Sequence, residues 1–195
     1  PQWPIDRRRR PPATHNSGAA PEGGHAPPML LTEQQGGQQL VAFGCERARA
    51  AGVRPGMQLA HARALLPGER PMVQPHEPQR DAEALQRLAR WARRFTPVTA
   101  ADPPDGLLLE MTGCERLYGG DAPMVQAIHE QVCNLGLHGR TVLAPTVGAA
   151  WGVARFGSMP TCLIPSDRLH EALGPLPVEA LRVEKRTAEA LRAVA

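Results

Sequence analysis

An α+β fold is what this sequence predicts. Short apolar runs come in pairs around turn residues, and helical patterns with spacings of three and four stand between those pairs. A chain of 195 residues with 42% hydrophobic content can fill one sizeable core and a small appendage.

The elements follow in chain order. Arg7 to Arg10 form a basic run that reads as a solvated helix end, and Pro11 to Pro28, rich in Pro, Gly, Ala and His, reads as a flexible loop. Order begins at Met29-Leu30-Leu31. A second apolar run, Leu40-Val41-Ala42-Phe43, follows Gly36-Gly37, so two short strands around a glycine turn are expected. Cys45 to Ala51 are helix formers stopped by Gly52, and after the turn Arg54-Pro55-Gly56 a second short helix spans Met57 to Leu66. Glu77 to Phe95 is the clearest helix, with Ala82, Leu85, Leu88, Ala89, Ala92 and Phe95 at helical spacing. Arg80, Arg87, Arg90, Arg93 and Arg94 read as its exposed face. Pro97 to Ala101 and Gly106 to Thr112 are strand candidates across Asp102-Pro103-Pro104-Asp105. Asp121 is expected to N-cap a helix carrying Val125, Ile128 and Val132 and ending near Gly136. Thr141 to Ala144 is a strand, and Val147 to Phe156 an Ala-rich helix. Hairpin strands broken by crossover helices imply a ferredoxin-like sheet with helices on one face. After Pro165 short helices around Pro175-Leu176-Pro177 suggest a second small domain.

Cys45, Cys114, Cys133 and Cys162 are scattered, without a C-x-x-C pair or histidines at metal-ligand spacing, so reduced thiols and no metal centre are expected. No run reaches the length of a membrane span, which points to a soluble, cytoplasmic protein without a membrane partner. The net charge of +3 is compatible with nucleic acid, but Lys185 is the one lysine among 22 basic residues, a bias that fits a GC-rich genome. A start at Pro1 and an end at Ala195 inside a helical pattern read as a segment of a longer chain.

Three stretches carry a resemblance to the Y-family (UmuC/DinB-like) DNA polymerases. The first is Cys45-Glu46-Arg47-Ala48-Arg49-Ala50-Ala51-Gly52-Val53, running on through Arg54-Pro55-Gly56-Met57 to Ala64-Leu65-Leu66-Pro67. The second is Arg94-Phe95-Thr96-Pro97-Val98 with Asp105-Gly106-Leu107-Leu108-Leu109-Glu110-Met111-Thr112-Gly113. The third is Thr141 to Gly157. The resemblance implies first palm strands and small helical fingers over residues 1–75, palm over 76–165, and the start of a helix-hairpin-helix thumb over 166–195. That thumb would run from Pro177 to Leu181, through a link at Glu184, to Thr187 to Val194.

In active members of that family an Asp-x-Asp on the first strand and an Asp-Glu pair on the hairpin hold two Mg²⁺ ions. Here the hairpin reads Asp105-Gly106, so Asp105 is at most a vestigial ligand, or a turn residue entering a strand. Nothing in Pro1 to Asp6 supplies Asp-x-Asp. By the same resemblance a tyrosine is replaced by Glu46, whose carboxylate would repel a triphosphate, and a lysine is replaced within Phe156-Gly157-Ser158-Met159-Pro160. Arg49, Arg54, Lys185 and Arg186 are the candidate nucleotide or DNA contacts.

The strings Gly52 to Met57, Pro103 to Leu109 and Thr112 to Gly120 look like the ImuB-type branch, polymerase-shaped members of damage-inducible mutagenesis cassettes without polymerase activity. The resemblance thus implies a DNA-repair scaffold of translesion synthesis without a cofactor. Its partners would be DNA, the sliding clamp, a RecA-like protein and an error-prone DNA polymerase. The alternative is an active translesion polymerase using Mg²⁺. A regulatory ferredoxin-like domain unrelated to DNA is a third reading.

Overall fold

The computed structural model describes residues 3–9 and 27–194. The loop expected at 11–28 therefore lies outside the described residues up to residue 26. Pro28, at its end, is buried, and its carbonyl accepts the N–H of Met72 at 2.7 Å. The chain divides into two compact units. One runs to Arg90 and adds Ala101–Leu107; the other takes Trp91–Ala100 and continues from Leu108.

The first unit is built on a three-stranded sheet. β1 (Met29–Gln35) and β2 (Gln38–Gly44) pair antiparallel with Gln35 opposite Gln38. Gly36 and Gly37 have φ of 56° and 78°, the left-handed pair that a two-residue hairpin turn of this twist requires. β3 (Met72–Pro75) joins the other side of β1, parallel, with Met29 opposite Met72. β1 is thus central, which is why Met29 to Leu31 read as one continuous apolar run and are buried, with Thr32 buried beside them. Sequence reasoning missed β3 because two prolines bracket only two apolar residues. An edge position tolerates Pro75, which has no N–H to give.

α1 (Trp3–Arg9) lies on β1 and β2, with Ile5 fully buried in a core made with Leu30, Leu31, Val41, Cys45, Ala48 and Val53. α2 (Glu46–Ala50) ends in a tight hydrogen-bonded wrap: Val53 N–H reaches the Ala48 carbonyl and Gly52 N–H the Arg49 carbonyl, both at 3.0 Å. Gly52, at φ 95°, supplies the left-handed residue this motif needs. α3 (Leu59–Ala64) starts later than the expected Met57, because the Met57 carbonyl is bound to Val41 N–H at 2.8 Å. α4 (Pro78–Ala92) also stops short of Phe95, whose N–H turns back to the Ala92 carbonyl at 2.9 Å in a tighter final turn.

α1 corrects the reading of the arginine run. Arg7 and Arg8 are not a solvated helix end; both reach the carboxylate of Asp81 on α4, at 2.5 and 2.8 Å, and the Arg8 side chain is 5% exposed. Asp6, buried, lies inside this helix.

β4 (Thr99–Asp102) and β5 (Gly106–Leu109) form a two-stranded sheet whose turn end, Ala101–Leu107, belongs to the first unit. β5 ends at Leu109 rather than Thr112 because Cys114 N–H turns back to the Met111 carbonyl at 3.0 Å. In the second unit come α5 (Glu115–Tyr118), too short to show a period, and α6 (Asp121–Asn134). The N-cap of α6 is Gly120, not the expected Asp121. Asp121 is its first helical residue, where a carboxylate still meets the positive end of the helix.

β6 (Thr141–Leu143) pairs parallel with β7 (Thr161–Leu163), and α6 packs on both. β7, three residues long, escaped sequence reasoning. α7 (Val147–Phe156) is N-capped by Thr146, whose hydroxyl accepts from Ala149 N–H at 3.2 Å. A Cβ at Gly152 would stand 3.2 Å from the Ala180 carbonyl, so glycine lets α7 approach the 3-10 turn Val178–Leu181. After α8 (Leu169–Leu173) and that turn, α9 (Lys185–Val194) closes the described chain.

Candidate functional site

The hairpin that the resemblance singles out is set by its flanks. The hydroxyl of buried Thr96 donates to the Glu110 carbonyl at 2.5 Å, and Glu110 N–H donates to the Val98 carbonyl at 3.0 Å. At the turn end Asp102, the last residue of β4, is 8% exposed. Pro103, Pro104 and Asp105 make the turn, and Gly106 opens β5. Asp105 is therefore the half-buried turn residue entering a strand that its sequence suggested.

Gly106 is the informative position. A Cβ built on it would meet the Asp102 carbonyl oxygen at 3.0 Å, Asp102 Oδ2 at 3.1 Å and Asp102 Cβ at 3.2 Å. Contacts this close are tighter than ordinary packing, so a side chain at 106 requires the backbone and side chain of Asp102 to give by a few tenths of an ångström. Among the described residues no group of three or more His, Cys, Asp or Glu side chains is placed to hold a metal ion. The donor set of this hairpin does not fit a two-cation clamp.

The four candidate cations fall in two places. Arg49 and Arg54 are in the first unit, where Arg54 Nη1 donates to the Arg49 carbonyl at 2.8 Å and to the Val53 carbonyl at 3.0 Å. Arg54 thereby satisfies carbonyls at the C-terminal end of α2, a role basic residues commonly take there. Arg49 and Glu46 are both exposed, one turn apart. Lys185 and Arg186 open α9 in the second unit, with the Arg186 side chain exposed.

Beside the hairpin's exit, Glu110 accepts from both the hydroxyl and the N–H of Thr112, which holds its carboxyl below the usual range.

One cluster was missed altogether: Asp81, which besides Arg7 and Arg8 has His76 Nε2 at 3.6 Å and receives the Trp3 indole N–H on its carbonyl at 3.0 Å. The signal was present, since Asp81 stands four residues before Leu85 on the apolar stripe of α4, and a carboxylate there demands a buried partner.

Comparison with known proteins agrees with this geometry. The impB/mucB/samB family model matches residues 24–154. The protein ImuB of Caulobacter vibrioides strain NA1000 / CB15N is 39% identical over 132 residues, covering 68% of this chain and 28% of that protein. The ImuB of strain ATCC 19089 matches equally, so the chain spans a little over a quarter of these relatives' length. Among solved structures, DinB from Sulfolobus solfataricus superposes with a TM-score of 0.64 at 16% identity, over 86% of this chain and 50% of that one. A post-insertion binary complex of Dbh DNA polymerase gives 0.69 at 16% identity, over 87% and 50%. The α+β architecture is thus that of the Y-family polymerase palm region, as expected. With the family model matched over residues 24–154, well over half of its length, the chain belongs to the impB/mucB/samB family.

Proposed function

We propose that this chain is the polymerase-shaped part of a non-catalytic DNA-damage mutagenesis protein, a scaffold for an error-prone DNA polymerase in translesion synthesis. The observation that carries the reading is Gly106, whose Cβ position lies tight against Asp102, so the hairpin reads Asp105-Gly106 where two-metal chemistry would use an adjacent acid pair. Likeness to ImuB supports the setting in damage-induced mutagenesis. In this reading residues up to 75 act as fingers with first palm strands, 76–165 as palm and 166–195 as the start of a thumb. DNA contacts come from exposed Arg49 and Arg186, with Lys185 and Arg54 beside them. The sliding clamp, a RecA-like protein and the error-prone polymerase are the proposed partners. No described helix is long and apolar enough to cross a membrane.

Primer extension on a primed template with Mg²⁺ or Mn²⁺ tests the reading. No incorporation above a protein-free control is expected. Incorporation that Asp105→Ala abolishes would establish an active translesion polymerase instead.

A further inference from the structure

We infer that Cys133 is a reactive thiol, activated by His129, and a site of covalent modification by soft carbon electrophiles. Cys133 and His129 stand one turn apart on α6, with Cys133 Sγ 3.5 Å from His129 Nε2. The other ring nitrogen, Nδ1, lies 3.3 Å from the hydroxyl of Thr141 on β6. Thr141 is itself fixed, its N–H bound to the Pro160 carbonyl at 2.9 Å and its strand paired with β7. A nucleophile, a base in reach of it and a third group orienting the base make up an activated-nucleophile arrangement.

The step uses the tautomer in which Nδ1–H donates to the Thr141 hydroxyl, so that Nε2 is the acceptor facing the thiol. In the reaction the sulfur lone pair forms a bond to the electrophilic carbon and the thiol proton passes to His129 Nε2. The carbon–leaving-group bond breaks, and its electron pair departs with the leaving group.

The other cysteines are placed differently. Cys45 is 1% exposed and its sulfur accepts Met29 N–H at 3.4 Å; Cys114 and Cys162 are half-buried, whereas Cys133 is exposed.

The test is limiting iodoacetamide on the folded chain, with the alkylated cysteines quantified by mass spectrometry over time. Cys133 is expected to react about tenfold faster than Cys114 or Cys162, and His129→Ala to remove that advantage without changing the other two. Cys45 monitors folding. Should it become labelled in His129→Ala, the comparison is made with His129→Gln, which keeps a partner for Thr141 but takes no proton. Equal rates at Cys133 and Cys114, or a Cys133 rate indifferent to removal of the imidazole, would overturn the inference.

Discussion

Arg8 and Asp81 form an ion pair at 2.8 Å whose side chains are only 5% and 6% exposed. A pair removed from water to this extent is costly to break from one side, because the remaining charge keeps its burial and loses its partner. Asp81→Ala is therefore expected to destabilise the protein by about 3 to 5 kcal/mol, and more than Arg8→Met, since Asp81 also holds Arg7 at 2.5 Å. Urea denaturation checks the order. A triple variant, Arg7→Met and Arg8→Met with Asp81→Leu, should recover most of the loss, because apolar replacement of a whole buried ionic cluster is commonly near neutral.

Gly106 gives a second prediction. The Asp102 carbonyl lies 3.0 Å from the position of an added Cβ, and β4 has little freedom to retreat while paired. Gly106→Ala should cost about 1 to 3 kcal/mol, seen as a lowered thermal midpoint. Gly106→Glu should cost at least as much and confer no primer extension. Incorporation by that variant would show that the missing carboxylate alone separates this hairpin from an active one.

Elements whose sequence pattern matched their surroundings were legible. The β1–β2 hairpin was marked by Gly36-Gly37, and α2 by Gly52, because each glycine occupies the left-handed conformation its turn demands. Asp105 was legible as a turn residue for the same local reason. What stayed hidden depends on distant partners. β3 is a strand only because β1 lies beside it, and Arg7 and Arg8 became internal because Asp81, more than 70 residues later, needs them. The obstruction of Gly106 was equally invisible. A sequence shows that a carboxylate is absent, but not how closely Asp102 of the preceding strand approaches its place.

Glu110 makes the acid limb of stability testable. Its carboxyl is held below the ordinary glutamate value chiefly by the Thr112 hydroxyl and then by the Thr112 N–H. A folded-state value below the unfolded one means that the contribution is present above the unfolded value and is lost as pH falls through the folded one. Thr112→Val removes the hydroxyl. Its urea midpoint should fall relative to the parent at about pH 6 and converge with it as the pH falls through the folded-state value of the carboxyl. A constant gap across that range would assign the effect to packing rather than to the ionised carboxylate.

Arg49 and Arg54 separate phosphate contact from helix capping. Arg54 Nη1 is committed to two carbonyls at the end of α2, so Arg54→Ala should lower stability by about 0.5 to 1.5 kcal/mol. Its effect on the salt dependence of DNA affinity should be small. An exposed arginine that neutralises one phosphate contributes about 0.9 to the slope of log affinity against log salt, because it releases about one condensed counterion. Arg49→Ala and Arg186→Ala are each expected to reduce that slope by about this amount. Fluorescence anisotropy on a labelled duplex over a salt series measures the slopes. A larger change of slope in Arg54→Ala than in Arg49→Ala would move the phosphate contact to Arg54 and make its carbonyl bonds secondary.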